Sequence, residues 1–217
     1  MTRASARAAF AGWFAGQGWT PARFQREVWR RYLAGESGLL HTPTGSGKTL
    51  AAIGGPLLEA LAQPAKVAPK RRAGSRAEAT PRLRVLWITP LRALAADTVR
   101  SLRLPIEALG LPWDVVMRTG DASARDRRLA QAGQAEILVT TPESLSLLLS
   151  YPTTPPLLAG LRCVVVDEWH ELLGNKRGVL LQLCLARLRT LAPALRTWGL
   201  SATLGNLDEA RDVLLRD

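Results

Sequence analysis

The chain has 217 residues, enough for one large domain with a real core and too few for two domains of ordinary size. Hydrophobic residues make up 47%, which excludes a disordered chain, and no apolar stretch is long enough for a membrane span or a signal-peptide core. Lys and Arg number 29 against 18 Asp and Glu, a formal charge of +11 that slightly favours a polyanion partner over a surface made basic for solubility. Cys163 and Cys184 lie far apart without metal-ligand spacing, so they read as buried free thiols of a reducing compartment. A cytoplasmic location and no membrane partner are the default expectation.

Phe10, Trp13 and Phe14 fall at helical spacing within Ala4–Gly16, so residues 1–17 read as a short helical extension ahead of one domain at 18–217. Thr20-Pro21 predicts the start of a helix that runs to Leu33 and stops at Gly35. Gly38–His41 is a short apolar strand. The loop Thr42–Gly47 leads into a helix over Lys48–Ala62, with Gly54, Gly55 and Pro56 expected to disturb its middle. Residues 63–84 carry Lys66, Lys70, Arg71, Arg72, Arg76, Arg82 and Arg84 against Glu78 alone, and predict an exposed, mobile basic loop.

A regular alternation follows. Strands are predicted at Val85–Ile88, Asp114–Met117, Ile137–Val139, Cys163–Val166 and Thr197–Leu200. Helices are predicted at Leu91–Leu109, Ser123–Ala132, Pro142–Leu149, Gly178–Leu191 and Leu207–Leu215. Continuously apolar strands between helices imply an α/β fold, a parallel sheet covered by helices on both faces. In such sheets ligands bind at the carboxyl ends of the strands, and the polar clusters of this chain all fall there.

Thr42-Pro-Thr44-Gly45-Ser46-Gly47-Lys48-Thr49 joins a strand to a helix. Its glycines let backbone amides curl around phosphate oxygens, and the helix N-terminus adds partial positive charge. Lys48 is placed to reach the β- and γ-phosphates of ATP, and the Thr49 hydroxyl to ligate Mg²⁺. Thr42 stands where the strict pattern has glycine, but the Gly-Ser-Gly-Lys-Thr core is intact. A chance match in a turn is the competing reading, and the strand before and helix after count against it.

Such a loop needs a carboxylate for the metal and another group for the water. Val164-Val-Val-Asp167-Glu168-Trp169-His170 supplies both at the end of an apolar strand. Asp167 is the expected Mg²⁺ carboxylate and Glu168 the group that orients or deprotonates water. Alone, the acidic pair could equally be a helix cap. His170 lies beside it and Ser201-Ala202-Thr203 ends a later strand, so a His-to-hydroxyl link could couple nucleotide state to another surface. His41 reads as structural.

These residues resemble superfamily 2 helicases of the DExH type. Gly45–Thr49 is similar to motif I, Asp167–His170 to motif II and Ser201–Thr203 to motif III. Thr89-Pro-Leu-Arg92-Ala-Leu94 is similar to motif Ia, Arg118-Thr119-Gly120-Asp121 to Ib, and Thr141-Pro142-Glu143-Ser144 to the Thr-Pro-Glu motif that follows. The wording resembles Lhr-type helicases, and Gly18–Gln25 with Leu39–Leu50 looks most like the bacterial ligase-associated branch. The resemblance implies a RecA-like P-loop lobe and an ATP-driven 3′-to-5′ DNA translocase linked to repair, with a ligase as a possible partner.

By position, it implies that Gln25 reads adenine, with Phe10, Trp13, Trp19 or Phe24 as the stacking aromatic. It implies that Thr89, Arg92, Thr119 and Thr141 grip the sugar-phosphate backbone of single-stranded DNA. Thr89 and Thr141, each before a proline, also fit as helix caps. It implies a second RecA-like lobe that supplies arginine fingers. That lobe is not found before Asp217, so the expectation is weak ATP binding, slow or no hydrolysis and no processive unwinding by this chain alone. An RNA helicase lobe and a non-catalytic nucleic-acid-binding module remain as alternatives. A P-loop kinase has no use for the Ser-Ala-Thr and Thr-Pro motifs.

Overall fold

The computed structural model describes residues 2–63, 81–120, 122–202 and 206–215. Six parallel strands form one sheet: β1 (Gly38–His41), β2 (Val85–Ile88), β3 (Val115–Arg118), β4 (Ile137–Thr140), β5 (Cys163–Val166) and β6 (Arg196–Ser201). Their spatial order is β1-β6-β5-β2-β4-β3. Apolar side chains on both faces of β2, β4 and β5 bury these strands completely, as a sheet sandwiched between helices requires.

Alternation along each strand sorts the core into two clusters. Val85, Trp87, Cys163, Val165 and Trp198 face helices α1 (Arg3–Gly16), α2 (Arg23–Leu33), α3 (Lys48–Ala62) and α4 (Arg92–Ala108). Leu86, Ile88, Val164 and Val166 face α5 (Ala124–Gln131), α6 (Pro142–Ser150), α7 (Thr154–Leu158), α8 (Lys176–Leu191) and α9 (Leu207–Leu215). Both cysteines are free and buried, and their burial pushes the thiols up, Cys184 to about 11. No helix among the described residues is long and apolar enough to cross a membrane.

Several details depart from the sequence expectations. The second helix begins at Arg23 with Ala22 at its cap, not at Pro21. The Gln25 carboxamide oxygen accepts from Ala22 N at 2.9 Å, and this bond sets the start. Gly35 ends the helix in the left-handed region, φ +90°. The third strand starts at Val115, one residue after the expected Asp114. Helix α7 and a 3₁₀ turn at Trp169–Glu171 were not anticipated.

Gly54, Gly55 and Pro56 do not interrupt α3, which is continuous from Lys48 to Ala62. The two glycines are there for packing. A Cβ on Gly54 would lie 2.2 Å from Trp29 Nε1, and one on Gly55 would lie 2.5 Å from the Tyr32 ring. The missing side chains let α2 lie directly against α3, so that Trp29 Nε1 donates to Leu50 O at 3.1 Å. Helix α1 closes this corner through Phe10 and Phe14, whose rings meet Trp29 edge-on at 5.0 and 5.6 Å.

Of the basic segment expected at 63–84, residues 64–80 lie outside the described residues. Its end is not a free loop. Leu83 is buried, and Arg82 Nε donates to Glu136 Oε1 at 2.5 Å. The other Glu136 oxygen accepts from Asp114 N at 2.8 Å. Sequence separation hid this carboxylate, 54 positions away from its arginine.

Gly54→Ala is expected to lower stability by about 2 kcal/mol, because the added methyl meets the Trp29 indole in a close-packed seam. Gly12→Ala, on an exposed turn of α1 with nothing within 4 Å, is expected to raise stability by about 0.5–1 kcal/mol. Urea midpoints at unchanged slope would read both signs.

Candidate functional site

Apart from Gln25 on α2, the polar residues singled out in the sequence lie at or just beyond the carboxyl ends of the strands, and the strand order divides them into two groups. On β1, β6 and β5 stand the phosphate-type loop, Ser201 and Asp167–His170. On β2, β4 and β3 stand Thr89–Arg92, Thr141 and Thr119. The boundary runs between β5 and β2.

The loop between β1 and α3 is built on Gly45 and Gly47, both left-handed with φ of +80° and +90°. Thr44 and Gly45 are exposed, while Ser46, Gly47 and Thr49 are half-buried at the mouth of α3. Thr42 Oγ1 and Ser46 Oγ lie 2.8 Å apart across the loop, and Thr42 N donates to Ser201 O, tying the loop to β6. Lys48 is buried in the first turn, and its ammonium donates to the carbonyls of Thr42 at 3.0 Å and Pro43 at 3.4 Å. The loop therefore curls around the Lys48 ammonium.

Gln25 is not an exposed polar residue of the helix surface. It is 5% exposed, and its amide nitrogen donates to Gly47 O at 3.1 Å while its oxygen holds Ala22 N. One carboxamide thus ties the start of α2 to the loop, and a Cβ on Gly47 would lie 2.7 Å from it. Among the candidate stacking aromatics, Phe10 is spent in the core at 1% exposure, and Trp13 and Phe24 are half-buried against that core. Trp19 is 50% exposed.

Asp167 follows β5 directly. Its N–H donates to Ile88 O at 2.8 Å, one carboxylate oxygen accepts from Trp87 Nε1 at 3.2 Å, and the other accepts from Glu168 N at 3.0 Å. Burial pushes the Asp167 carboxyl up. The Trp87 bond opposes that shift, the neighbouring Glu168 carboxylate adds to it, and Lys48 works against it. Glu168 has φ +45°, the one non-glycine among the described residues in the left-handed region. The Glu168 side chain at that strained turn is partly open, 25% exposed.

His170 Nδ1 lies 3.1 Å from Ser201 Oγ, 3.4 Å from Ala202 N and 3.5 Å from Glu168 Oε2. The imidazole so touches both the acidic turn of β5 and the end of β6. Thr203, the other expected partner in that link, lies outside the described residues. Trp169 fixes the turn from behind: it is fully buried, and its indole donates to Ala210 O of α9 at 2.8 Å.

Thr49 and Asp167 offer a hydroxyl and a carboxylate, hard oxygen donors that suit Mg²⁺ once phosphate and water oxygens complete the shell. The described residues hold no cluster of three or more His, Cys, Asp and Glu, as an all-protein transition-metal site would need.

The second group is uneven. Arg92 is exposed at the start of α4, its guanidinium lying over Gly120, where a Cβ would come within 2.9 Å. Thr119 is 6% exposed, and its hydroxyl has no hydrogen-bond partner among the described residues. Thr141 caps α6, accepting from Ser144 N at 3.4 Å. Thr89 is fully buried and its hydroxyl donates to Leu91 O at 3.3 Å, so it braces the turn and presents no hydroxyl at the surface. Glu143, which sequence reasoning left without a role, pairs with Arg177 of α8 and joins the starts of α6 and α8.

The family model described as DEAD/DEAH box helicase matches residues 22–210, and the chain belongs to that family. It is 37% identical over 204 residues to the Lhr helicase/probable uracil glycosylase of Mycolicibacterium smegmatis, covering 88% of this chain and 13% of that protein. It is 35% identical to the ATP-dependent helicase Lhr-Core of Methanocaldococcus jannaschii, covering 88% of this chain and 22% of the relative. The solved structure of Mycobacterium smegmatis helicase Lhr bound to ssDNA and AMP-PNP matches with TM-score 0.77 at 34% identity, over 94% of this chain and 25% of that one. The sheet and its helices are thus a RecA-like helicase fold. The chain spans between 13% and 23% of the length of its first curated relatives.

The Glu143–Arg177 pair yields a pH signature. Arg177 holds the Glu143 carboxyl down at about 2, against an ordinary value of 4.5. A depressed carboxyl stabilises the fold above its unfolded pKa and loses that contribution as pH falls toward the folded value. The pair is half-exposed, so Glu143→Gln is expected to cost less than about 1 kcal/mol at pH 6 and a smaller amount near pH 2. Urea titrations at the two pH values check it.

Proposed function

We propose that this chain is the ATP-binding lobe of an ATP-dependent 3′-to-5′ DNA helicase or translocase. The observation that carries this reading is the division of the strand ends, with phosphate-type residues on β1, β6 and β5 and backbone-gripping candidates on β2, β4 and β3. The amides of Gly45–Thr49 and the Lys48 ammonium hold the β- and γ-phosphates. Thr49 and Asp167 hold Mg²⁺, which supplies charge neutralisation on the phosphate oxygens. Glu168 orients the attacking water and takes its proton. Gln25 reads the adenine edge with the parts of its amide that Ala22 and Gly47 leave unused. His170 passes the state of this site to β6 through Ser201, with Thr203 as the further partner.

Arg92, Thr119 and Thr141 grip the sugar-phosphate backbone of single-stranded DNA, as the exposed Arg92 supports. Thr89 contributes by shaping the turn that carries Arg92. A second RecA-like lobe supplies the arginines that complete the ATP site, residues 18–217 forming the first lobe and 1–17 its helical extension. The ligase-associated wording of the motifs supports a role in DNA repair in the cytoplasm, with a ligase among the partners.

Phosphate release stimulated by single-stranded DNA and by RNA, side by side in a polypeptide carrying both lobes, tests the reading. DNA is expected to stimulate more. Glu168→Gln is expected to lower hydrolysis about 100-fold or more while nucleotide binding persists. A wild-type rate in that variant would remove Glu168 from the reaction, and equal or greater stimulation by RNA would favour an RNA helicase lobe. Arg92→Ala is expected to weaken single-strand binding and reduce the slope of log K against log salt by about 0.7. The 217-residue chain alone is expected to hydrolyse ATP slowly or not at all, and processive unwinding by it would overturn the requirement for a second lobe.

A further inference from the structure

We infer that Trp87 is a positioning residue of the hydrolytic site, its indole N–H holding the Asp167 carboxylate in the orientation that receives Mg²⁺. The inference rests on the reading of Asp167 as the metal carboxylate. Strands β2 and β5 pair in register, Trp87 beside Val165 and Ile88 beside Val166. That register delivers two bonds from β2 to one residue: Ile88 O accepts the Asp167 N–H at 2.8 Å, and Trp87 Nε1 donates to the carboxylate at 3.2 Å. Glu168 N takes the other carboxylate oxygen at 3.0 Å. Each oxygen has one fixed donor, so both side-chain torsions of Asp167 are set before any metal arrives, and each oxygen keeps a lone pair for it.

The chemistry of the strand points the same way. Trp87 is fully buried between aliphatic neighbours in Val85-Leu-Trp-Ile88, where an apolar side chain would satisfy packing. The buried Trp87 N–H has the Asp167 carboxylate as its acceptor, whereas the indole N–H of Trp198, also buried on β6, has no partner among the described residues. The donor is rigid, since the ring is locked in the core that α3 and α4 cover. Partners of metal ligands of this kind set ligand orientation, and their loss costs metal affinity more than fold. Trp87 also sits at the junction of the two halves of the site, two residues before the turn that carries Arg92 begins at Thr89.

The test measures Mn²⁺ affinity by electron paramagnetic resonance on the full chain with saturating AMP-PNP, and AMP-PNP affinity without metal. Trp87→Phe keeps an aromatic ring and removes the donor. It is expected to weaken Mn²⁺ about tenfold and leave metal-free nucleotide binding unchanged. Replacement of Trp87 by its benzothienyl analogue, which keeps the bicyclic shape and puts sulfur in place of N–H, is expected to do the same and decides the matter if the phenylalanine variant does not fold. An unchanged Mn²⁺ constant, or equal losses with and without metal, overturns the inference in favour of simple packing. Asp167→Asn separates the two levels: if it leaves Mn²⁺ affinity intact, the metal assignment of Asp167 itself fails.

Discussion

The pairing of β5 with β2 on one side and β6 on the other is the constraint on which the site depends. Cys163 and three valines keep β5 completely buried and leave no freedom in its register. Asp167 and Glu168 emerge where this strand ends, between the Ser201 end of β6 and the Thr89 turn of β2. Register here is all-or-none, because a one-residue slip would turn Val164 and Val166 to the opposite helix layer and move the carboxylates by a full residue. The positions of charge are thus set by packing of apolar residues that carry no chemistry.

The same principle operates at the phosphate-type loop. Its glycines supply backbone shape, but its location is fixed by α3, and α3 is fixed by α2 lying in the groove that Gly54 and Gly55 leave open. Trp29 and Gln25, on one face of α2, reach Leu50 O and Gly47 O. The aromatic corner of Phe10, Phe14 and Trp29 backs this contact, so the N-terminal extension stiffens the loop from a distance. At the far side of the sheet, buried Glu136 gathers Arg82 and Asp114 N, its carboxyl pushed up by burial and drawn back by those two donors.

Much of this was legible in the sequence because it is local. Strand positions followed from unbroken apolar runs, and the loop and the Asp-Glu pair from residue types that must stand at strand ends. What was not legible depends on side chains meeting across the fold. The Gly54-Gly55-Pro56 run looks like a break until Trp29 and Tyr32 are seen to need the space. Thr89 looks like a surface hydroxyl until its burial shows it bracing a turn. The roles of Trp87 and Trp169 show only in their indole partners, Asp167 and Ala210 O. A tryptophan inside a strand of aliphatics was only a partial signal, since a buried indole N–H usually finds a partner but that of Trp198 on β6 has none among the described residues.

The central claim is that the loop at 42–49 and the carboxylates at 167 and 168 form one phosphate and metal site. A crystal structure of the chain with AMP-PNP and Mg²⁺ tests it most directly. The account predicts the terminal phosphates against the amides of Gly45–Thr49, Lys48 moved from the Thr42 and Pro43 carbonyls onto them, and Mg²⁺ between Thr49 and Asp167. A nucleotide bound away from this loop, or Lys48 still held by Thr42 and Pro43 with the phosphates outside, would contradict it.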